Sequence, residues 1–303
     1  MNWTIRIFNV IVFAFLSIFL FASFLEAENK STGDDGYVPQ AVYGVSVGSA
    51  YDLAGESVPM DNEDALMRLD RELTVNAYWH SSSIINLKNA NRFFPTIEKI
   101  LVEEGVPADF KYLAVAESAL RNVSSPAGAK GFWQIRKTAG KEMGLEINGE
   151  IDERYNLELS TRAACNYLKQ NYKRFGSWTL AAAAYNMGPT KLRSEMNKQK
   201  ETSYYDMNFG DETSRYVFRI IALKEIMSKP ADYGFVLQSS DLYDQLDDHY
   251  TLQIDYQIDD LADFAHGKGI TYRQLKMYNP WMLSSRLPNR SKKLYLIKIP
   301  KQM

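Results

Sequence analysis

The residue whose type and position most suggest chemistry is Glu117. Pro107 can open a helix, and along it Phe110, Leu113, Ala114 and Glu117 fall at i, i+3, i+4 and i+7. That spacing places them on one helical face. Three of the four are apolar and the fourth is a carboxyl group. A glutamate at the end of an apolar face loses hydration, which disfavours its charged form and raises its pKa. A carboxyl still protonated near neutral pH is what a general acid for glycosidic cleavage requires. The spacing equally describes a boundary glutamate that reaches water past the helix end, so the pattern alone leaves both readings open.

Other reactive arrangements are weaker. Gly44-Val45-Ser46-Val47-Gly48 matches the G-x-S-x-G elbow of serine hydrolases. That elbow needs a strand before it and a helix after it, and neither periodicity is present. Cys165 is the single cysteine, which rules out a disulfide within the chain and a multi-cysteine zinc site. The three histidines, His80, His249 and His266, are scattered. Neither a metal site nor a cofactor is expected.

The residues around Glu117 carry more information. Glu117-Ser118 is followed by Ser125-Pro126-Ala127-Gly128-Ala129-Lys130 and Gly131-Phe132-Trp133-Gln134. Thr138-Ala139, Gly144-Leu145 and Asp152-Glu153-Arg154 come next, then Ala184-Tyr185-Asn186-Met187-Gly188, Glu212-Thr213 and Tyr216-Val217. In order and spacing this resembles the catalytic domain of the soluble-lytic type of lytic transglycosylases, glycoside hydrolase family 23. Within it, the membrane-bound lytic murein transglycosylase D group is the most similar. The resemblance covers about residues 76–230.

The resemblance implies a lysozyme-like helical fold with Glu117 as the single acid/base. It implies that Ser118 orients the N-acetyl group of the substrate and that Gln134 lines the sugar cleft. Tyr185 and Asn186 would hold sugar near the cut, and Tyr216 would approach the glutamate. The sequence reads Gly131-Phe132-Trp133-Gln134 where the family has a G-L-M-Q-type motif, a variant with bulkier aromatics of which Trp133 reads as a packing residue beneath the cleft. The implied reaction cleaves the MurNAc–GlcNAc β-1,4 bond of peptidoglycan and leaves 1,6-anhydro-MurNAc ends. Most glycosidases pair two carboxylates. Asp152, Glu153 and Glu212 are candidates for a second one, which would make the protein a hydrolase like goose-type lysozyme. A non-catalytic wall-binding scaffold is a third reading.

Several elements must position these residues. Over residues 61–230 apolar side chains recur every three or four positions, as in Ile84, Leu87, Ala90 and Phe94, or Ala164, Leu168, Tyr172 and Phe175. The expectation is helix after helix, with Pro95 opening one of them and Gly188-Pro189 ending another. Residues 245–300 change character. Tyr250, Leu252 and Ile254 alternate like a strand, as do Tyr295, Ile297 and Ile299, and two helical stretches lie between them. This strand–helix–helix–strand order resembles LysM, a small N-acetylglucosamine-binding module. The chain has Asp255-Tyr256-Gln257-Ile258-Asp259 where the LysM pattern has Gly-Asp-Thr. The fold expected is therefore mainly α, with a small α+β C-terminal module.

Charge supports the class and also leaves a question. With 35 Lys+Arg against 37 Asp+Glu, the chain lacks the basic excess a nucleic-acid binder needs. The charges are segregated, however. Asp241 to Asp263 holds eight aspartates and no Lys or Arg, and Arg286 to Lys301 holds six basic residues and no acid. These blocks either face each other or are solvated, and solvation is the simpler expectation. At the N-terminus, Arg6 precedes an almost wholly apolar run from Ile7 to Leu25, and Glu26 and Glu28 follow. Residues 1–27 thus read as a signal peptide or as a membrane anchor through residues 7–25. Either places the protein outside the cytoplasm, in the periplasm or cell envelope, with peptidoglycan strands as its partner. Residues 28–60, rich in Gly, Ser and Asp, read as an exposed tether.

Overall fold

The computed structural model describes residues 43–301, so the N-terminal segment 1–27 and most of the expected tether lie outside the described residues. Among the described residues no helix is long and apolar enough to cross a membrane. A tight antiparallel hairpin of β1 (Asp52–Leu53) and β2 (Glu56–Ser57) comes first. The helical body follows: α1 (Glu63–Tyr78), α2 (His80–Glu103), α3 (Lys111–Ser118), α4 (Lys137–Glu142) and α5 (Leu157–Phe175). It ends with α6 (Trp178–Met187), α7 (Pro189–Gln199) and α8 (Asp211–Ser228). The C-terminal module comprises β3 (His249–Ile254), α9 (Leu261–Gly267), α10 (Tyr272–Tyr278) and β4 (Tyr295–Pro300). β3 and β4 pair antiparallel, His249 opposite Pro300 and Ile254 opposite Tyr295.

Local chemistry sets the helix ends. Asn62, Asn156 and Ser177 accept backbone N–H groups at the starts of α1, α5 and α6. Gly176, with φ of 72°, closes α5 in the left-handed conformation. In α6 the run Ala181 to Ala184 is fully buried. Side chains this small let α5 and α8 approach the α6 backbone on either side, so α6 sits in the middle of the body with Tyr185 and Asn186 at its C-terminal end. Pro95 does not open a helix as expected. α2 runs through it, and because Pro95 is exposed, the loss of one backbone hydrogen bond falls on the solvent side.

The tether expectation is corrected over its last residues. Tyr51, Leu53 and Val58 are buried in the main helical core. Strands of two residues are too short to show an alternation, so composition masked them. The hairpin also acts as a clamp. Glu56 accepts hydrogen bonds from the Ser177 hydroxyl at 2.7 Å and from the N–H groups of Trp178 and Thr179 at 2.5 and 2.8 Å. It thereby caps α6 from outside the helix. Burial pushes the Glu56 carboxyl upward, but these hydrogen bonds outweigh it and hold the group below its usual value.

The basic block is also corrected: it meets neither the acidic block nor open solvent alone. Arg286 pairs with Glu150, Lys293 with both Glu146 and Glu153, and Lys298 with Glu158. All four partners belong to the helical body, and only Lys301 pairs with the acidic stretch, at Asp248. Backbone contacts run alongside, from the Asp152 N–H to the Trp281 carbonyl at 2.9 Å and from the Leu283 N–H to the Glu150 carbonyl at 2.8 Å. Ile151 joins the apolar cluster of the C-terminal module itself. The module is packed onto the body over the 146–158 segment.

Glu56→Ala should lower stability by about 1–2 kcal/mol in denaturant unfolding, the usual cost of a lost cap. The difference from wild type should shrink as pH falls through the depressed Glu56 pKa, because the protonated group no longer attracts the helix N-terminus. A constant difference down to low pH would count against the clamp.

Candidate active site

α3 delivers Glu117 on its last turn. Phe110, Leu113 and Ala114 are fully buried, so the apolar face is sunk into the core up to the glutamate. The chain then reverses sharply, with Ala119 and Leu120 both left-handed at φ of 53° and 55°. Two consecutive non-glycine residues in that region are costly and persist only where surroundings enforce them. Here Asn89 donates to the Ala119 carbonyl at 3.0 Å, and Leu120 is fully buried. This turn ends α3 directly behind Glu117.

Ser118 requires a correction. Its hydroxyl lies within hydrogen-bonding distance of the Phe132 carbonyl at 2.7 Å and the Ala114 carbonyl at 3.1 Å, and it accepts from the Arg121 N–H at 3.3 Å. The residue is buried and does not line the cleft. It faces away from Glu117, as adjacent helical residues do. What it does is tie the end of α3 to the 131–134 segment.

Glu117 opens onto a cleft of about 520 Å³. Gln134, Tyr185, Asn186 and Tyr216 line the same cleft, so the structure brings these expected residues together from four separate segments. The Tyr216 hydroxyl donates to Glu117 Oε1 at 2.5 Å. The Tyr185 hydroxyl donates to the Trp133 carbonyl at 2.7 Å. Burial drives both phenols well above their ordinary pKa, and the adjacent Glu117 charge adds to it, so both remain neutral donors. Asn186 Oδ1 accepts from the Thr213 hydroxyl at 2.8 Å, which fixes its amide plane. Gln134, left-handed at φ of 45°, donates its amide to the Val123 and Gly131 carbonyls. Trp133 beside it is fully buried and donates to Thr161 at 2.9 Å, so it packs beneath the cleft.

The electrostatics centre on Glu117. Desolvation pushes its carboxyl up to about 7. The Tyr216 hydrogen bond opposes the rise, the Glu212 charge adds to it, and the Arg219 charge opposes it. Glu212, Tyr216 and Arg219 stand at i, i+4 and i+7 along α8 and share one face. Arg219 is therefore a site residue that the sequence reading missed, although its spacing from Tyr216 was a usable signal. Arg219 bonds Glu212 at 3.0 Å and approaches the fully buried Glu72 of α1 at 3.6 Å. Of the other candidate carboxylates, Asp152 and Glu153 are buried and engaged elsewhere, with Arg154 and Lys293 respectively. Glu212 is exposed, lies at the cleft wall and is paired with Arg219. No cluster of three potential metal ligands occurs among the described residues.

Arg154, in the same sequence motif as Asp152, has a role at the cleft wall that the sequence reading did not give it. It is buried, and it holds Asp152 through two bonds at 2.7 and 2.8 Å. It also donates to the carbonyls of Gly128 and Ile135, both at 3.1 Å. Those carbonyls belong to the 125–136 segment that forms one cleft wall. Gly131 of that wall, at φ of 79°, lies so close that a Cβ there would fall 1.9 Å from the Arg154 carbonyl oxygen. Only glycine allows this approach. The cleft wall is therefore seated on the strip that the C-terminal module packs against.

With this geometry in view, the sequence comparisons are specific. Residues 95–208 match the transglycosylase SLT domain, and residues 250–303 match the soluble lytic transglycosylase C-terminal LysM-like domain. The chain carries both, in the order the sequence resemblance implied. It is homologous to the membrane-bound lytic murein transglycosylase D of Escherichia coli K12, with 26% identity over 249 residues, covering 79% of this chain and 53% of that protein. A putative tributyltin chloride resistance protein of an Alteromonas species is 32% identical over 92 residues, 30% of this chain and 44% of that protein. The chain thus spans about half the length of the curated relatives it matches. Among solved structures, the 70 kDa soluble lytic transglycosylase SLT70 of Escherichia coli aligns with a TM-score of 0.40 at 21% identity, covering 49% of this chain and 26% of that one.

Arg154→Ala should cost about 3 kcal/mol in denaturant unfolding, because buried Asp152 keeps only the longer Lys130 contact at 3.7 Å. Arg154→Lys should recover only part of this, since an ammonium cannot reproduce the forked contacts. A loss below about 1 kcal/mol for the alanine variant would remove Arg154 as the seat of the wall.

Proposed function

We propose that the protein is a peptidoglycan lytic transglycosylase, with Glu117 as its single general acid/base and Gln134, Tyr185, Asn186 and Tyr216 as substrate-binding residues. The observation that carries this reading is a carboxyl with a pKa of about 7, held by Tyr216 inside a cleft of an SLT domain. Protonated Glu117 donates to the oxygen linking N-acetylmuramic acid to N-acetylglucosamine, and the bond breaks. Positive charge develops on the muramic ring, where its own N-acetyl group supports it. Ionised Glu117 then takes the proton from the 6-hydroxyl of the same sugar, and that oxygen closes onto C1. The closure is intramolecular, so its entropic cost is already met. A pKa near 7 serves both halves of the cycle, as acid and as base.

The domain reading that accompanies this is a helical catalytic domain over 61–230 and a LysM-like module over 245–300, preceded by an export signal or anchor. Such a protein acts in the periplasm or cell envelope. Glu212 supports one rival. It is a second carboxylate at the cleft wall, and if it activated a water the products would be hydrolytic, as in goose-type lysozyme. Its pairing with Arg219 favours the transglycosylase.

Digestion of purified peptidoglycan, followed by mass analysis of the muropeptides, separates the two. The expected products end in 1,6-anhydro-MurNAc and are lighter by one water than muramidase products. Reducing ends would establish the hydrolase instead, and Glu117→Gln should release neither.

The pH response of two variants follows from the electrostatics. Tyr216→Phe removes a bond that favours ionised Glu117, so the carboxyl pKa rises and the alkaline limb of the activity profile should move to higher pH. An unmoved limb would show that Glu117 is not the titrating acid. The raised pKa also means that the folded protein binds a proton the unfolded chain has released, so Glu117 progressively destabilises the fold from its ordinary value near 4.5 up to about 7. Glu117→Gln should therefore raise the thermal midpoint by several degrees at pH 8, and by much less at pH 4.

A further inference from the structure

A second cavity, of about 410 Å³, lies where the C-terminal module meets the helical body. One wall is helical-body residues, including Arg92, Phe93, Arg121 and Phe132, and the other is Met277, Tyr278 and Trp281 of the module. Its size falls within the ordinary range for small-ligand sites. It stands back to back with the catalytic cleft: Glu117 and Gln134 face the cleft, while Leu120, Arg121 and Phe132, from the same two segments, face this cavity.

Its charges point to the ligand. Arg92 donates to the Asp244 carbonyl and lies over the Tyr243 ring. The exposed Arg121 guanidinium donates only to the Ser118 carbonyl among the described residues, at 3.4 Å. Neither guanidinium pairs with a carboxylate among the described residues. By contrast, the acid Glu158 in the same cavity is neutralised by Lys298, and Asp247 sits exposed at the rim. Two arginines with forked donors to spare suit a carboxylate. The walls indicate what should be attached to it. Phe132 already packs edge-on with Phe93, Trp281 stacks on Tyr295, Tyr278 meets His249, and Tyr155 lies under Lys130. Leu120, Leu157, Leu246 and Met277 line the cavity beside these rings, and such apolar walls suit small aliphatic side chains.

We propose that this cavity binds a short aliphatic peptide through its free carboxylate, namely the peptide carried by the muramic acid of a peptidoglycan strand. The source of the peptide rests on the proposed function, whereas the recognition chemistry does not. Occupancy would brace the Ala119–Leu120 turn and Phe132 from behind, the two features that hold Glu117 and the cleft wall in place.

The test is calorimetric titration of the full chain in detergent with the sugar-free peptide L-Ala-γ-D-Glu-diaminopimelate-D-Ala. Saturable binding is expected. It should weaken at least about tenfold in Arg121→Ala and in Arg92→Ala, the loss of a charged hydrogen bond, and should fall similarly for wild type with peptide whose carboxylates are amidated. Gln134→Ala, in the cleft, should leave peptide binding unchanged. Absence of binding, equal binding by the arginine variants, or loss on Gln134→Ala would overturn the proposal. The assay needs no turnover. Anhydro products without peptide binding would reject this site and leave the enzyme intact, and peptide binding without anhydro products would do the reverse.

Discussion

Desolvation raises the Glu117 carboxyl to about 7, and several of the long-range contacts in this fold hold the neighbours that keep it from water. Glu117 sits where the buried face of α3 runs out. Its dryness comes from α6 and α8 on either side, and its proton affinity is trimmed by the Tyr216 hydroxyl. Each of these neighbours is itself held from a distance. The buried Glu72 anchors Arg215 and approaches Arg219 on α8, and Glu56 caps α6. Thr213 fixes the Asn186 amide. The site is a small polar pocket in an apolar body, and its polar groups find partners on other helices, as in Tyr216–Glu117 and Thr213–Asn186, or on the carbonyls of the 123–133 segment.

The second dependence is mechanical. One wall of the cleft is irregular chain, and irregular chain needs external support for its carbonyls. Arg154 supplies that support, and it is aligned by Asp152 on a strip whose other edge is hydrogen-bonded to the C-terminal module. Charge follows the same line, since the basic end of the chain meets Glu146, Glu150, Glu153 and Glu158. Exposed pairs contribute little individually, but Glu153 is buried and its pairing with Lys293 removes a charge that would otherwise be stranded. The module is thus part of the framework on which the wall rests, whatever it binds.

What could be read from sequence follows physical range. The α3 face, the α5 stripe and the alternation of β3 and β4 are local periodicities, and each of these elements appears in the structure. Glu117, Gln134, Tyr185, Asn186 and Tyr216 were legible because they sit in ordered motifs, and all of them line one cleft. The role of Ser118 came from the family resemblance alone, and no local periodicity in the sequence shows that its side chain is buried behind the cleft rather than lining it. The hairpin at 52–57 was hidden because two-residue strands carry no period. The partners of the basic block were unreadable in principle, since a charge in sequence says nothing about which partner 140 residues away will meet it.

These dependences bear on how a single carboxyl can manage a two-stage reaction. If Glu117 is acid first and base second, its proton affinity must change little between the stages, so its surroundings must not relax when charge moves. Side chains on exposed loops would reorganise and spend the advantage of a tuned pKa. Here the carboxyl is bonded by a fully buried tyrosine on a long helix, and the charges that act on it are Glu212 and Arg219, which pair with each other while Arg219 also approaches the buried Glu72. The less regular wall is pinned at Gly128 and Ile135 by one guanidinium. Under the proposed function, this enclosure around one titratable group would stand in for the second carboxylate that most glycosidases use. The strained turn at Ala119–Leu120 is then the cost of ending a helix abruptly enough to leave that group facing the cleft.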